Sequence, residues 1–267
     1  MRSTLYHFTG LLSATTLVCH PAMAESEADL AKKLANPVAA LISVPIQANY
    51  DEDIGLDDGS VWRINIQPVI PFSIGQDWNL ISRTILPVID QKDVPVNGSG
   101  ESGIGDILQS FFFSPKEPTS NGLIWGVGPV LLLDTASDEA LGSEKWGIGP
   151  TGVVLKQEGA WTYGLLANHV ESFSGESSRA DISATFVQPF ISFITQTKTT
   201  LGFNTESTYD WDAKKWSVPV NFTVNQLLKV GDQLLQVGGG LRYWMESPDN
   251  GPDGLGLRLQ LTFLLPK

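Results

Sequence analysis

From Ala40 to Tyr50 the even positions Ala40, Ile42, Val44, Ile46, Ala48 and Tyr50 are apolar, while Ser43, Gln47 and Asn49 fall between them. A period of two predicts a strand with one apolar and one polar face. The alternation recurs with Trp62, Ile64, Ile66, Ile70 and Phe72 against Arg63, Asn65 and Gln67, and with Leu201, Phe203, Tyr209 and Trp211 against Asn204, Glu206, Thr208 and Asp210. Lys214–Leu227 sets Trp216, Val218, Val220, Phe222 and Val224 against Ser217, Asn221, Thr223 and Asn225, and Leu255–Leu265 sets its leucines against Arg258, Gln260 and Thr262. Between Asn121 and Gln157 two apolar runs flank an acidic, glycine-containing loop, and the odd positions from Leu123 to Leu133 are all apolar. Gly103–Ser114, Trp161–Glu171, Asp181–Thr195, Gln233–Glu246 and a less regular Trp78–Asp90, with Arg83 on one parity, complete a set of about twelve predicted strands.

Most of these segments run to about 11–14 residues, long for a soluble sheet and suited to a tilted membrane crossing. The predicted turns after strands two, four, six, eight and ten are short, whereas most of the others are long and polar, among them Asp51–Ser60, Gln91–Ser102 and Ser172–Ala180. Trp62, Trp146, Trp211, Trp216 and Trp244 fall near the long-loop ends, and Trp78, Trp125 and Trp161 near the short-turn ends, as two aromatic girdles would require. The expected fold is therefore all-β: a transmembrane antiparallel β-barrel of about twelve strands with both termini on the periplasmic side.

The rest of the chain fits that expectation. Residues 1–24 carry Arg2, an apolar core from Gly10 to Val18 and Ala22-Met23-Ala24 before Glu25, the pattern of a cleaved secretory signal. Cys19, the only cysteine, leaves with it, and Leu17-Val18 before it do not suit a lipid-anchor site. Residues 25–37 read as a short helix or arm ending at Asn36-Pro37, and residues 38–267 as the barrel. A net charge of −12 excludes a nucleic-acid partner. The acidic residues, among them Asp51, Glu52, Asp53, Asp57, Asp58, Asp138, Glu139, Asp249 and Asp253, fall largely in the long loops and read first as a solvated face, with divalent-cation binding as the sharper alternative.

Catalytic and metal chemistry is scarce. His169 is the one histidine beyond the signal, so no histidine-based metal cluster is expected, nor any cofactor. Asn168-His169-Val170-Glu171-Ser172 invites comparison with outer-membrane lipid hydrolases, but two residues separate His169 from Ser172, which on a straight strand places them on opposite faces. Pro45, Pro68, Pro71, Pro87, Pro129, Pro150, Pro189 and Pro219 lie inside predicted strands. They mark bulges and strand ends, or else sideways openings in the wall.

Asn36-Pro37, Leu41-Ile42-Ser43-Val44-Pro45-Ile46-Gln47, Gly103-Ile104-Gly105-Asp106, Phe113-Ser114-Pro115, Trp125-Gly126-Val127-Gly128-Pro129, Leu141-Gly142-Ser143-Glu144-Lys145-Trp146 and Gly149-Pro150 together resemble the bacterial outer-membrane barrel family labelled "meta-pathway of phenol degradation" or simply "transporter". Asp134 precedes Thr135 where that family usually has proline. The resemblance implies an outer-membrane barrel passing small, apolar or aromatic molecules and assigns no catalytic residue.

The function expected is an outer-membrane channel or transporter for small neutral or apolar solutes, not an enzyme. Its partners would be outer-membrane lipid, the solute and, during insertion, the barrel-assembly machinery. The alternative is a barrel serving envelope structure or adhesion, and a lipid hydrolase ranks below both. Candidate lumen-lining residues are Arg63, Asn65, Gln67, Asn204, Glu206, Asn221, Asn225, Gln236, Arg242, Arg258 and Gln260. Arg63, Arg242 and Arg258 would form a basic ladder across the seam between the first and last strands, pairing with Glu206, Glu246 or Asp106 or leaving a positive constriction.

Overall fold

The structure, a computed structural model, describes residues 27–96 and 98–265. The expected signal, 1–24, lies outside them. One helix, α1 (Glu27–Leu34), precedes fifteen strand segments. These are β1 (Ile42–Ile54), β2 (Gly59–Ile66), β3 (Val69–Ile74), β4 (Trp78–Lys92), β5 (Gly100–Ile104), β6 (Ile107–Pro115), β7 (Leu123–Leu133) and β8 (Lys145–Glu158). They continue as β9 (Trp161–Gly175), β10 (Ser183–Ile194), β11 (Thr199–Thr205), β12 (Ser207–Asp210), β13 (Lys215–Val230), β14 (Gln233–Glu246) and β15 (Gly254–Leu265). Three staves are split, β2 with β3, β5 with β6 and β11 with β12, so the wall has 12 antiparallel staves. Each stave pairs with its sequence neighbours, and β1 pairs with β15 from Ile42↔Leu265 to Tyr50↔Leu257, which closes the barrel.

Closure removes every sheet edge, so the ladder can satisfy backbone N–H and C=O groups where no water competes. The two faces of the wall follow from the period of two. Ile70, Phe72, Val127, Leu201, Phe203, Phe222, Val224, Leu241, Leu257 and Leu259 are exposed on the outside. Both girdles form there: Trp78 meets Trp125 edge-on and Trp161 packs on Phe193 at the short-turn end, while Trp62 packs on Tyr50, and Trp211 and Trp216 on Tyr209, at the other. Trp244 departs from the expectation. It lies on the inward parity of β14, with its ring under the Arg242 guanidinium and its Nε1 donating to Asp51, so a polar partner inside outweighs a girdle position.

Several staves run further at the long-loop end than the alternation suggested. β1 continues to Ile54, β4 to Lys92 and β9 to Gly175, and β5 begins at Gly100. The loop expected at Asp51–Ser60 shrinks to a single 3-10 turn, Gly55–Asp57, followed by Asp58 in the left-handed region. Asp51 is therefore a wall residue, 2% exposed. Charged and polar residues continue a strand readily once it has left the apolar layer, since only the inner ladder must then be kept.

Two of the strand prolines coincide with steps missing from the ladder. Pro129 and Pro150 face each other across β7 and β8, and the ladders on their far sides skip a step, at Phe111 and Phe112 of β6 and at His169 and Val170 of β9. Each proline follows a glycine. A Cβ at Gly128 would collide with the Phe111 carbonyl and one at Gly149 with the His169 carbonyl, so the chains close in where the N–H is missing and a Cα–H···O contact takes its place. Sideways openings are not needed to account for them.

At the short-turn end the barrel is stoppered from within. Residues 27–34 form a helix with Glu27 and Asp29 in the first turn and Lys32 and Lys33 in the last, charges that complement the helix dipole. A helix this short is marginal alone. It is held by Leu30 and Ala31 packing on the inward-facing Ile194, Leu227 and Leu264, and by Gln157 Nε2 donating to the Lys32 carbonyl at 2.8 Å. Asn36 Oδ1 then accepts the Val38 N–H at 3.0 Å, and Val38 crosses to the opposite wall, buried among Ile81, Phe112, Val153, Leu155 and Leu166.

The glycine–proline steps give a direct test. Gly149→Val is expected to destabilise the barrel by about 1–3 kcal/mol or more, whereas Gly152→Ala, whose new Cβ would find its nearest neighbour at 3.6 Å, leaves stability unchanged. Urea unfolding of both variants, followed by the heat-dependent shift in detergent-gel migration, checks it.

Candidate functional site

The lumen has two unlike halves. On one side the staves from β11 through β15 and round to β4 contribute charge and amides. Arg258 is 1% exposed and makes three hydrogen bonds to two partners: its Nε donates to Asn49 Oδ1 at 2.7 Å, and its two terminal nitrogens donate to the two oxygens of Glu206 at 2.9 and 2.7 Å. Arg242 donates to Glu206 Oε2 at 3.2 Å. Its Nε also lies 3.1 Å from Asp51 Oδ1 at an angle that makes no hydrogen bond, so that attraction is Coulombic. The bidentate fork is the strong geometry for a guanidinium and a carboxylate.

Glu206 shares the inward parity of Asn204 and Thr208, and its stave is broken there. Pro219 lies across from it on β13, and on β10 Pro189 lies opposite the preceding Thr205, so neither neighbour can supply a full ladder, and β11 and β12 part at this residue. The remaining bond runs from Glu206 N–H to the Pro219 carbonyl at 3.1 Å. The break thus falls at the one acid that bridges both buried arginines among the described residues.

On the other side β4 and β6 to β10 present Ile81, Phe112, Val153, Leu155 and Leu166, with Val69, Ile124, Phe186 and Phe190 packed against them. Between them lies a cavity of about 320 Å³, lined by Asn65, Gln67, Arg83, Ser110, Asn168, Gln188, Glu206 and Thr208 together with Ile85, Leu108, Val170 and Phe186. A second cavity, about 260 Å³, sits against α1, and Gln47, Gln67, Arg83, Gln188 and Glu206 line both.

The sequence-derived residues fall as follows. Asn65 and Gln67 line the central cavity, and Asn204, Asn225, Gln236 and Gln260 line the one against α1. Asn221 is buried and donates to Asn204 Oδ1 at 2.8 Å. Arg63, opposite Asn49 in register, is exposed towards the long-loop mouth and makes no side-chain hydrogen bond or ion pair among the described residues. Of the three acids considered as arginine partners, only Glu206 serves. Asp106 instead caps the loop after β7, accepting from the backbone of Thr135, Ala136 and Ser143, and Glu246 is exposed.

Sequence reasoning missed Asp51 and Asn49, whose signal was present as an inward parity shared with Gln47. It also missed the apolar half of the lumen. There the signal is β8, where Val153, Val154 and Leu155 leave neither face polar. His169 Nδ1 lies 2.9 Å from Thr185 Oγ1, which also accepts from Trp211 Nε1. Both belong to the outward face, while Ser172 points the other way and meets the Ile182 N–H and Asp181. His169 and Ser172 do not form a dyad.

No family model and no curated protein matches the sequence. Among solved structures, the chain is similar to an outer membrane channel from Pseudomonas putida F1, with a TM-score of 0.65 and 15% identity over 85% of this chain and 97% of that one. It also aligns with the β domain of the Bordetella autotransporter BrkA (TM-score 0.43, 8% identity, 84% of this chain and 100% of that one) and with Pseudomonas putida OprB (TM-score 0.36, 8% identity, 85% and 92%). The fold is that of a bacterial outer-membrane barrel.

Removing one member of a buried ion cluster leaves its partners unpaired. Glu206→Gln is expected to cost about 3–5 kcal/mol, and the double change Glu206→Leu with Arg258→Met to cost less than either single change. Urea midpoints of the unaltered protein, Glu206→Gln, Glu206→Leu, Arg258→Met and the double variant decide it: additive losses in the double variant would mean that the pair does not act as a unit.

Proposed function

We propose that the protein is an outer-membrane channel for small solutes that are largely apolar or aromatic and carry a polar end. The observation that supports this reading is the lining of the central cavity, where Arg83, Glu206 and side-chain amides share the wall with Ile85, Leu108, Val170 and Phe186. A pore for hydrated ions has no use for an apolar wall, and a purely structural barrel has none for a cavity. The resemblance to the phenol-degradation and transporter barrels, with apolar cargo, agrees with this lining, as do the channel fold and the candidate residues named above as lining the path.

In this reading the long acidic loops face outwards and both ends of the barrel chain lie in the periplasm. The first 24 residues are removed on export, the barrel-assembly machinery inserts the rest, and outer-membrane lipid covers the apolar belt. α1 and Val38 close the periplasmic end, so passage requires residues 27–38 to shift. The plug also favours the second reading, a closed barrel of structural or adhesive role. Conductance separates the two.

In planar bilayers the intact barrel is expected to conduct in brief, small steps, and deletion of residues 27–38 to raise the conductance severalfold. A deletion variant that folds and still never conducts would establish the structural reading. Arg63 stands at the mouth with no side-chain hydrogen bond or ion pair among the described residues, so Arg63→Ala is expected to move the reversal potential in a salt gradient towards cations; an unchanged potential in a conducting channel would remove Arg63 from the path.

A further inference from the structure

Four arginines face the lumen, Arg63, Arg83, Arg242 and Arg258, and only two of them are neutralised. Arg242 and Arg258 share Glu206, with Asp51 beside Arg242. Arg83 is half-buried on the central cavity and spends one donor, on the neutral Gln67 Oε1 at 2.9 Å. A guanidinium has five donors in a fixed fork, so most of the hydrogen-bonding capacity of Arg83 is free on the wall of a cavity that Ile85, Leu108, Val170 and Phe186 also line. Glu206 also lines this cavity, but both of its oxygens are held by arginines.

We propose that Arg83 is the anchor of a binding subsite for organic monocarboxylates in the central cavity. The carboxylate takes the fork of Arg83, Gln67 gives up its bond or turns its amide N–H to the anion, and the apolar body lies on Leu108 and Phe186. The planar fork suits a carboxylate held by two parallel hydrogen bonds. A cavity of about 320 Å³ admits a body the size of one small ring, and the apolar wall disfavours an ion without one. The inference deepens the proposed function by naming the class of solute, and rests on that reading.

Calorimetric titration of the detergent-purified barrel is the test, because it needs no conductance and so fails separately from the channel reading. The probes are benzoate, benzyl alcohol, which keeps the ring and loses the charge, and acetate, which keeps the charge and loses the ring. Benzoate is expected to bind at least ~10-fold more tightly than either, the size of a charge-assisted hydrogen bond gained. Arg83→Gln should bring benzoate down to the level of benzyl alcohol, and Phe186→Ala should weaken benzoate while leaving acetate alone. Benzyl alcohol binding as well as benzoate would overturn the carboxylate subsite, and acetate binding as well would reduce it to a simple anion site. If Arg83→Gln does not fold, the three probes on the unaltered protein still decide.

Discussion

Every backbone polar group in the lipid-facing part of this wall must find its partner in the ladder, because the surrounding hydrocarbon offers none. That demand explains why the chain closes on itself and why the apolar residues sit on the outer parity. Proline is the residue that violates it. The chain meets the violation in two ways: at Gly128-Pro129 and Gly149-Pro150 glycine lets the neighbouring strand close in, and at Pro189 and Pro219 the stave is allowed to break. The second device falls at Glu206, the acid on which two buried arginines depend.

The interior follows a different rule from the exterior. Arg242 and Arg258 are among its least exposed side chains, and charges this deep persist only where they are paired and hydrogen-bonded. Glu206, Asp51, Asn49 and Trp244 supply the partners from three different staves, so the cluster fastens strands that are not all adjacent. Across from it Ile81, Phe112, Val153, Leu155 and Leu166 pack on Val38 as in a soluble core. The central cavity draws its lining from polar and apolar side chains alike.

The barrel was legible in the sequence because alternation, strand length and loop parity all report one fact, a two-faced strand of crossing length. Where both faces carry similar residues the reading weakened. β8 and the first half of β4 have apolar side chains on both parities, since one faces lipid and the other the apolar side of the lumen, and no pattern in a single strand separates the two. Acid followed by glycine reads as loop, which hides Asp51 although its parity matches Asn49. Distance from a loop puts Trp244 in a girdle, whereas its parity points inwards. The break at Glu206 depends on prolines from two other strands, information that appears only once register is known.

The helix that stoppers the short-turn end comes first in the described chain, but the residues that hold it, Ile194, Leu227 and Leu264, come from the second half. Eight residues are too few to stay helical without that support, so α1 has nothing to dock against until the late staves are in place and β15 has met β1. The order of sequence and the order of assembly run in opposite directions. Protection of residues 27–34 from proteases or exchange thus becomes a clock for the last event of folding, the moment at which the seam closes.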